Sequence, residues 1–346
     1  MKLDIKALFT RKNGLLLVFL AAALLPPLFI SRNYIMSVLV TCLMFAAMGF
    51  AWNIIGGYGG HVAWCHSAFI AVGAYTCFIL YNQAGVSPFL SMPLGMLICY
   101  VFATIMGKVT LQYRGPFFAI STIVFVELLR VALLYFSGLT NGSSGIVIAY
   151  TEENFWDLLF KNDTPYYYIS LVLLLLCILV TRLFLNSKTG HYLQTIKGDQ
   201  DAAQSLGIDI GKVKLHAFQL SAVMTSVVGA VYALFITYIE PATIASTDLA
   251  IRIGAVVIIG GMGKFWGPLL GAFVVIPLSE LALQVFPEGG AQLFYGLLLI
   301  VIMLLIPGGI LSLFDKDERA KSWFAQAKYG IRRRRALAAQ RKEEGQ

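Results

Sequence analysis

Ten stretches of this sequence are apolar over the roughly 20 residues a helix needs to cross some 30 Å of hydrocarbon. They run over 14–30, 33–55, 61–81, 88–107, 116–137, 165–185, 215–239, 244–261, 266–286 and 290–307. That succession predicts an all-α, polytopic membrane protein of about ten transmembrane helices. Composition agrees: 58% of the residues are hydrophobic and only 13% are charged, against about 25% charged in an ordinary soluble domain. A soluble globular or disordered chain is thereby excluded, because too few charges are present to cover so much apolar surface. Lys2, Lys6, Arg11 and Lys12 before the first run resemble the start of a signal peptide, and Ala21-Ala22-Ala23 a cleavage region. Pro26-Pro27 and further apolar residues follow at once, so an uncleaved first span is expected.

Charge placement sets the expected topology. With ten spans and both termini in the cytoplasm, the outer segments receive only Arg32 and Lys161, while Arg130 and Arg252 stay in the membrane and the remaining Lys and Arg are inside. If the short eighth run merely dipped in and out, Arg332–Arg335 would fall outside, against the positive-inside rule. The net charge of +8 is therefore a topology signal, and no nucleic-acid partner is implied. The five cysteines, Cys42, Cys65, Cys77, Cys99 and Cys177, lie within apolar runs without metal-ligand spacing, so no metal site is expected. Residues 1–313 read as one membrane domain. Residues 314–346 read as a basic tail, in which Trp323, Phe324, Ala327 and Ile331 fall at helical spacing before four arginines. It fits a helix on an anionic inner leaflet or a solvated end equally well. The acidic outer loop 138–164, with Asn141-Gly142-Ser143 and Asn162-Asp163-Thr164, is a solvated connector or a docking surface.

Three features suggest function. Gly56-Gly57-Tyr58-Gly59 recurs as Gly260-Gly261-Met262-Gly263, and eleven residues after the first glycine of each come Ser67-Ala68-Phe69 and Gly271-Ala272-Phe273. Both lie at cytoplasmic junctions, the second followed by Gly267-Pro268. Such junctions suit a substrate path or gate built from interrupted helices, or simply close helix packing. Glu127 and Arg130 share a helix face in the fifth run, where a paired carboxylate and guanidinium line a path or snorkel to the interface. His61 and His66 flank Trp64 and Cys65. His66 is a candidate for the path, the alternative being a hydrogen-bonded structural role. Asp248, Arg252 and Glu280 are further intramembrane charges.

The third feature is the polar loop 186–214, far longer than two neighbouring spans require. It holds one expected short helix, Asp199 to Leu206, with acids at its start and Gly207 at its end. This is a surface that another protein can grip. The chain contains no Gly-x-x-x-x-Gly-Lys-Ser/Thr phosphate loop, so any nucleotide chemistry belongs to a partner.

The loop, Lys214-Leu215-His216-Ala217-Phe218-Gln219-Leu220-Ser221-Ala222 and the block Ile258 to Ala272 together resemble LivH/LivM-type permeases of bacterial ABC importers. Arg114-Gly115-Pro116-Phe117-Phe118-Ala119-Ile120-Ser121-Thr122 and Pro307-Gly308-Gly309-Ile310 are closer to the LivM branch. The resemblance implies a permease subunit in the bacterial cytoplasmic membrane, importing branched-chain amino acids or a related small solute. It implies a LivH-like second permease, two cytoplasmic ATPases that carry the ATP and Mg, and an extracytoplasmic solute-binding protein. This chain would bind no cofactor and catalyse no reaction. The resemblance makes Lys197, Asp199, Asp201, Ala202, Ala203, Gly207 and Ile208 the ATPase-coupling set, while the glycine pattern, the paired charges and the histidine make Gly56, Gly57, Gly59, His66, Glu127, Arg130, Gly260, Gly261, Gly263, Gly267 and Pro268 candidates for the path or gate. A channel or secondary transporter acting without an ATPase is the alternative.

Overall fold

The computed structural model describes residues 33–285, apart from 114 and 149–154, together with positions 27, 293, 296, 297, 300 and 301 and the segment 308–314. The expected first span, almost all of the tenth, both termini and the basic tail lie outside these residues.

The described chain is mostly helical, in the order α1 (Asn33–Asn53), α2 (His66–Ala84), α3 (Pro88–Thr110), α4 (Pro116–Tyr135), α5 (Ser137–Thr140), α6 (Asp163–Leu185), α7 (Lys188–Gly198), α8 (Gln200–Ser205), α9 (Ile210–Ile236), α10 (Pro241–Ile244), α11 (Thr247–Gly261) and α12 (Gly267–Val285). Among the described residues, six segments are long and apolar enough to cross a membrane: 33–58, 88–110, 116–135, 163–185, 210–236 and 241–261. The expectation of a multi-pass, mostly helical protein is met at that level.

Helix ends follow local chemistry. Proline opens α3 and α4, where its missing N–H is one the first turn could not use. Ser187, Asp199, Asp209 and Ser246 place side-chain oxygens on the free amides of α7, α8, α9 and α11, as good N-caps do.

Helix α1 is the axis of the fold, and every residue from Cys42 to Gly59 is buried. Against it pack α6, α9, α11 and α12, while α2 and α3 close around α9. Helix α4 is peripheral: it buries Phe118, Thr122 and Val126 and exposes Phe117, Ile120, Val124, Leu128 and Val131. In lipid that outward apolar surface is at home.

The chain has two ends. One carries α7, α8 and the links 59–65 and 262–266. The other carries residues 136–148 and 155–162 and the link 237–246, joined by a two-residue antiparallel pair, Ile146 opposite Ile239 and Val147 opposite Tyr238.

Three boundaries differ from the sequence expectation. The third span begins at His66 rather than 61, because α1 runs into a π-helical turn, Ile54–Tyr58, and the next residues are held in an irregular link. His61 N–H donates to the Ile55 carbonyl at 3.0 Å, and Trp52 Nε1–H donates to the Ala63 carbonyl at 2.7 Å. The eighth span starts at Thr247 under a Ser246 cap rather than at 244, with the separate short helix α10 ahead of it. Loop 186–214 holds two helices rather than one. Its first helix, α7, is anchored by buried Leu193 and Ile196, three residues apart on one face.

Candidate coupling and gating site

The polar loop is a built element. Helix α7 turns sharply back from α6 at Gly190, which lies so close to the Phe184 carbonyl oxygen that no side chain could fit there. Asp199 then ends α7 and caps α8. Its Oδ1 accepts from the N–H groups of Asp201 and Ala202, both at 3.0 Å. Ala203 is fully buried beneath α8, and Lys214 Nζ on α9 donates to Gln200 Oε1 at 3.1 Å. Gly207, at φ +79°, closes the helix in the left-handed conformation that glycine adopts without strain. Behind it, Ile208 N–H donates to the Ala203 carbonyl at 3.2 Å, a helix-stop arrangement.

The seven residues expected to couple to an ATPase therefore divide. Asp201 and Ala202 face solvent and Asp199 and Gly207 shape the helix. Ala203 and Ile208 hold it down, and Lys197 points inward. Sequence reasoning passed over Leu206, which is 77% exposed, and Tyr192, 44% exposed. A leucine standing in water at the tip of a capped polar helix is the kind of knob a partner's groove covers. Its position directly before the stop glycine was the available signal.

The two glycine repeats meet. Asn53, the last residue of α1 and fully buried, accepts at Oδ1 from Gly263 N–H at 2.9 Å. Its Nδ2 donates to the Lys264 carbonyl at 3.1 Å. Gly57 faces the same amide so closely that a Cβ there would lie 2.6 Å from Gly263 N. Lys197 Nζ, reaching in from α7, donates to the Gly57 carbonyl at 2.8 Å. Around this contact the repeats pack reciprocally, with the Trp64 ring on Gly254 and Pro268 on Gly49. Gly56 is covered by Trp52, Gly59 ends the π turn, and Gly260 and Gly267 put α11 and α12 in backbone contact. Gly261 is packed beside Gly308 and Leu311. The structure thus brings Lys197 and the glycine residues of the candidate path together at one end of the molecule.

A family model described as the permease component of a branched-chain amino acid transport system matches residues 34–306. The chain belongs to this permease family. It is 27% identical over 330 residues to the high-affinity branched-chain amino acid transport system permease protein LivM of Salmonella typhimurium, spanning 89% of this chain and 76% of the relative. It is also 27% identical over 263 residues to the probable LivH permease of Methanocaldococcus jannaschii, spanning 70% and 80% of the two chains. The ribose import permease RbsC of Haemophilus influenzae is 24% identical over 194 residues, spanning 54% and 58%. No solved structure matches.

The other candidate residues of this permease lie away from the glycine contact. Glu127 and Arg130 form an ion pair on α4, with Arg130 Nη2 and Nε at 2.7 and 2.8 Å from Glu127 Oε2. The pair is 35% exposed at Arg130 and 45% at Glu127, on a helix whose neighbouring surface is apolar. His66 is completely buried. Ser221 Oγ donates to the Ala51 carbonyl at 2.7 Å and lies 2.8 Å from His66 Nε2. The hydroxyl proton being committed, His66 Nε2–H is the donor to Ser221. The histidine ties α2 to α9 and, through Ser221, to α1. Arg252 on α11 lies over the Phe45 ring, 5.5 Å from its centroid, and donates to Ser279 on α12 at 3.4 Å. Among the described residues no group of His, Cys, Asp and Glu could hold a metal.

Proposed function

We propose that this chain is one permease subunit of an ATP-driven importer for branched-chain amino acids or a related small polar organic solute. It works in the bacterial cytoplasmic membrane as ten spans with both termini inside. A LivH-like permease is its partner, two cytoplasmic ATPases bind and hydrolyse ATP with Mg, and an extracytoplasmic binding protein delivers the solute. The relatives' transport of branched-chain amino acids supports the substrate class. The observation that carries the reading is the capped two-helix element 188–205 with its C-cap residue Leu206. It presents Tyr192, Asp201 and Leu206 outward and, on its other side, places Lys197 on the junction between α1 and α2. A channel or secondary transporter has no use for such an element.

The half-exposed Glu127–Arg130 pair supports a path at the subunit boundary. Facing lipid, an ion pair costs several kcal/mol; facing an aqueous path or a second permease, it is solvated or matched. Rigid-body movement of the loop then biases the path between two states.

Reversing the charge of Asp199 and Asp201 to arginine tests the docking assignment. ATPase co-purification is expected to be lost while membrane insertion is kept. Normal association would refute the assignment, and a lone wild-type chain that transports without ATP in liposomes would refute the importer reading. Competition of uptake by leucine, urea and short amides identifies the solute class.

A further inference from the structure

The importer reading leaves open how one loop moves two junctions, and Asn53 supplies an answer that rests on that reading. A carboxamide offers an acceptor oxygen at one end and a donor NH2 group at the other. Asn53 spends them on the amide of Gly263 and the carbonyl of Lys264, pairing with the second junction as a strand of backbone would. Four residues on, Gly57 presents its carbonyl to Lys197. No side chain separates Gly57 from Gly263, whose positive φ of 78° lets its amide face Asn53. A line of contacts therefore runs from α7 through Lys197 to the first junction and through Asn53 to the second.

We propose that Asn53 and Lys197 are positioning residues of the transport cycle, fastening both glycine junctions to the coupling loop so that one displacement of the loop moves them together. Neither needs to touch solute or ATPase. Lys197 reaches inward to a carbonyl, and Asn53 is enclosed in the core. Because Lys197 Nζ also borders Gly263, where an added Cβ would lie 3.2 Å from it, Lys197 and Asn53 serve one shared contact, so breaking both should add little to breaking either.

The test uses the whole complex, co-purified with its ATPases and second permease, reconstituted in liposomes and supplied with binding protein. The readout is solute moved per ATP hydrolysed, which a loss of stability or expression would not alter. Asn53→Leu and Lys197→Met are each expected to lower that ratio about tenfold, the scale of one buried hydrogen bond, while the ATPases still co-purify with the Asn53→Leu complex. The double variant should be no worse than either single one, and Lys197→Arg, which keeps a donor, should recover most of the ratio. Should Asn53→Leu fail to fold, Lys197→Met, at a surface-accessible position, still decides. An unchanged ratio in Lys197→Met, or additive losses in the double variant, would overturn the proposal and leave the importer reading standing. A wild-type chain that recruits no ATPase would overturn the importer reading itself.

Discussion

Replacing Gly260 by alanine should destabilise this permease more than almost any other single added methyl group. A Cβ on Gly260 would overlap the Gly267 carbonyl oxygen, 2.7 Å from that carbonyl's carbon and 2.8 Å from Gly271 N. Those atoms belong to the backbone of α12 and have no rotamer to escape into, so the whole helix must retreat. Over-filling a packed interior usually costs about 1–3 kcal/mol. With backbone on both sides the upper figure applies, and a retreat of about 0.5–1 Å forfeits a quarter to a half of the dispersion energy at each contact along the seam. We expect about 3 kcal/mol, a fall of roughly 150-fold in the ratio of folded to unfolded protein. The five cysteines provide the assay, since all are free and buried. A thiol-reactive fluorophore should label detergent-solubilised protein only as it opens, and at lower temperature or denaturant in Gly260→Ala. Gly211→Ala is the control. Its new Cβ meets only Asp209 Oδ1 at 3.6 Å, an ordinary contact, and alanine is the better helix former by up to about 1 kcal/mol. Equal labelling profiles for Gly260→Ala and Gly211→Ala would show that the α11–α12 contact has slack and would refute the close-packed junction.

Leu206→Asp should weaken ATPase association at least about tenfold, as loss of an apolar interface anchor does, with normal insertion; pull-down titration measures it. Glu127→Gln or Arg130→Gln should each depress uptake by leaving one intramembrane charge unmatched, and the swapped pair Glu127→Arg with Arg130→Glu should restore part of it. Full uptake in the single variants would assign the pair a structural role. His66→Leu removes the donor to Ser221 and should cost about 1 kcal/mol, read by the same thiol assay, with uptake per folded molecule unchanged. Outside the membrane, the Asp209 carboxyl is held below its ordinary value, near 3.8, chiefly by the N–H of Lys212 and next by its ammonium group. The capped first turn of α9 should therefore be fully protected above that ordinary value and lose protection as pH falls through the lower folded one. Amide exchange across 210–213 checks this, and Asp209→Asn should abolish the pH dependence.

Much of the site could be read along the chain, and the reasons for the exceptions are specific. The repeat at 56–59 and 260–263 was visible as a spacing, because glycine at matching offsets is a pattern in one dimension. Its partner Asn53 was not, since an asparagine near a span end is as common in a connector as in a core. Helix α7 escaped notice because Gly190 and a polar surface mask a stripe of only Leu193 and Ile196. The irregular start before α2 depends on Trp52 capturing the Ala63 carbonyl, and an indole gives no sign in sequence of which carbonyl it will meet.

Sequence alone determined that lipid is the solvent, that helices are the elements and that the polar loop 186–214 stands apart, because hydropathy and charge are sums over neighbouring residues. Only the tertiary structure decided that the two glycine junctions, some two hundred residues apart, share one contact with Lys197 and that His66 is sealed in the core. Those facts depend on which helices lie side by side. In a membrane, where apolar surface faces lipid and core alike, hydrophobicity does not choose among neighbours; close backbone approach and a few directed hydrogen bonds do.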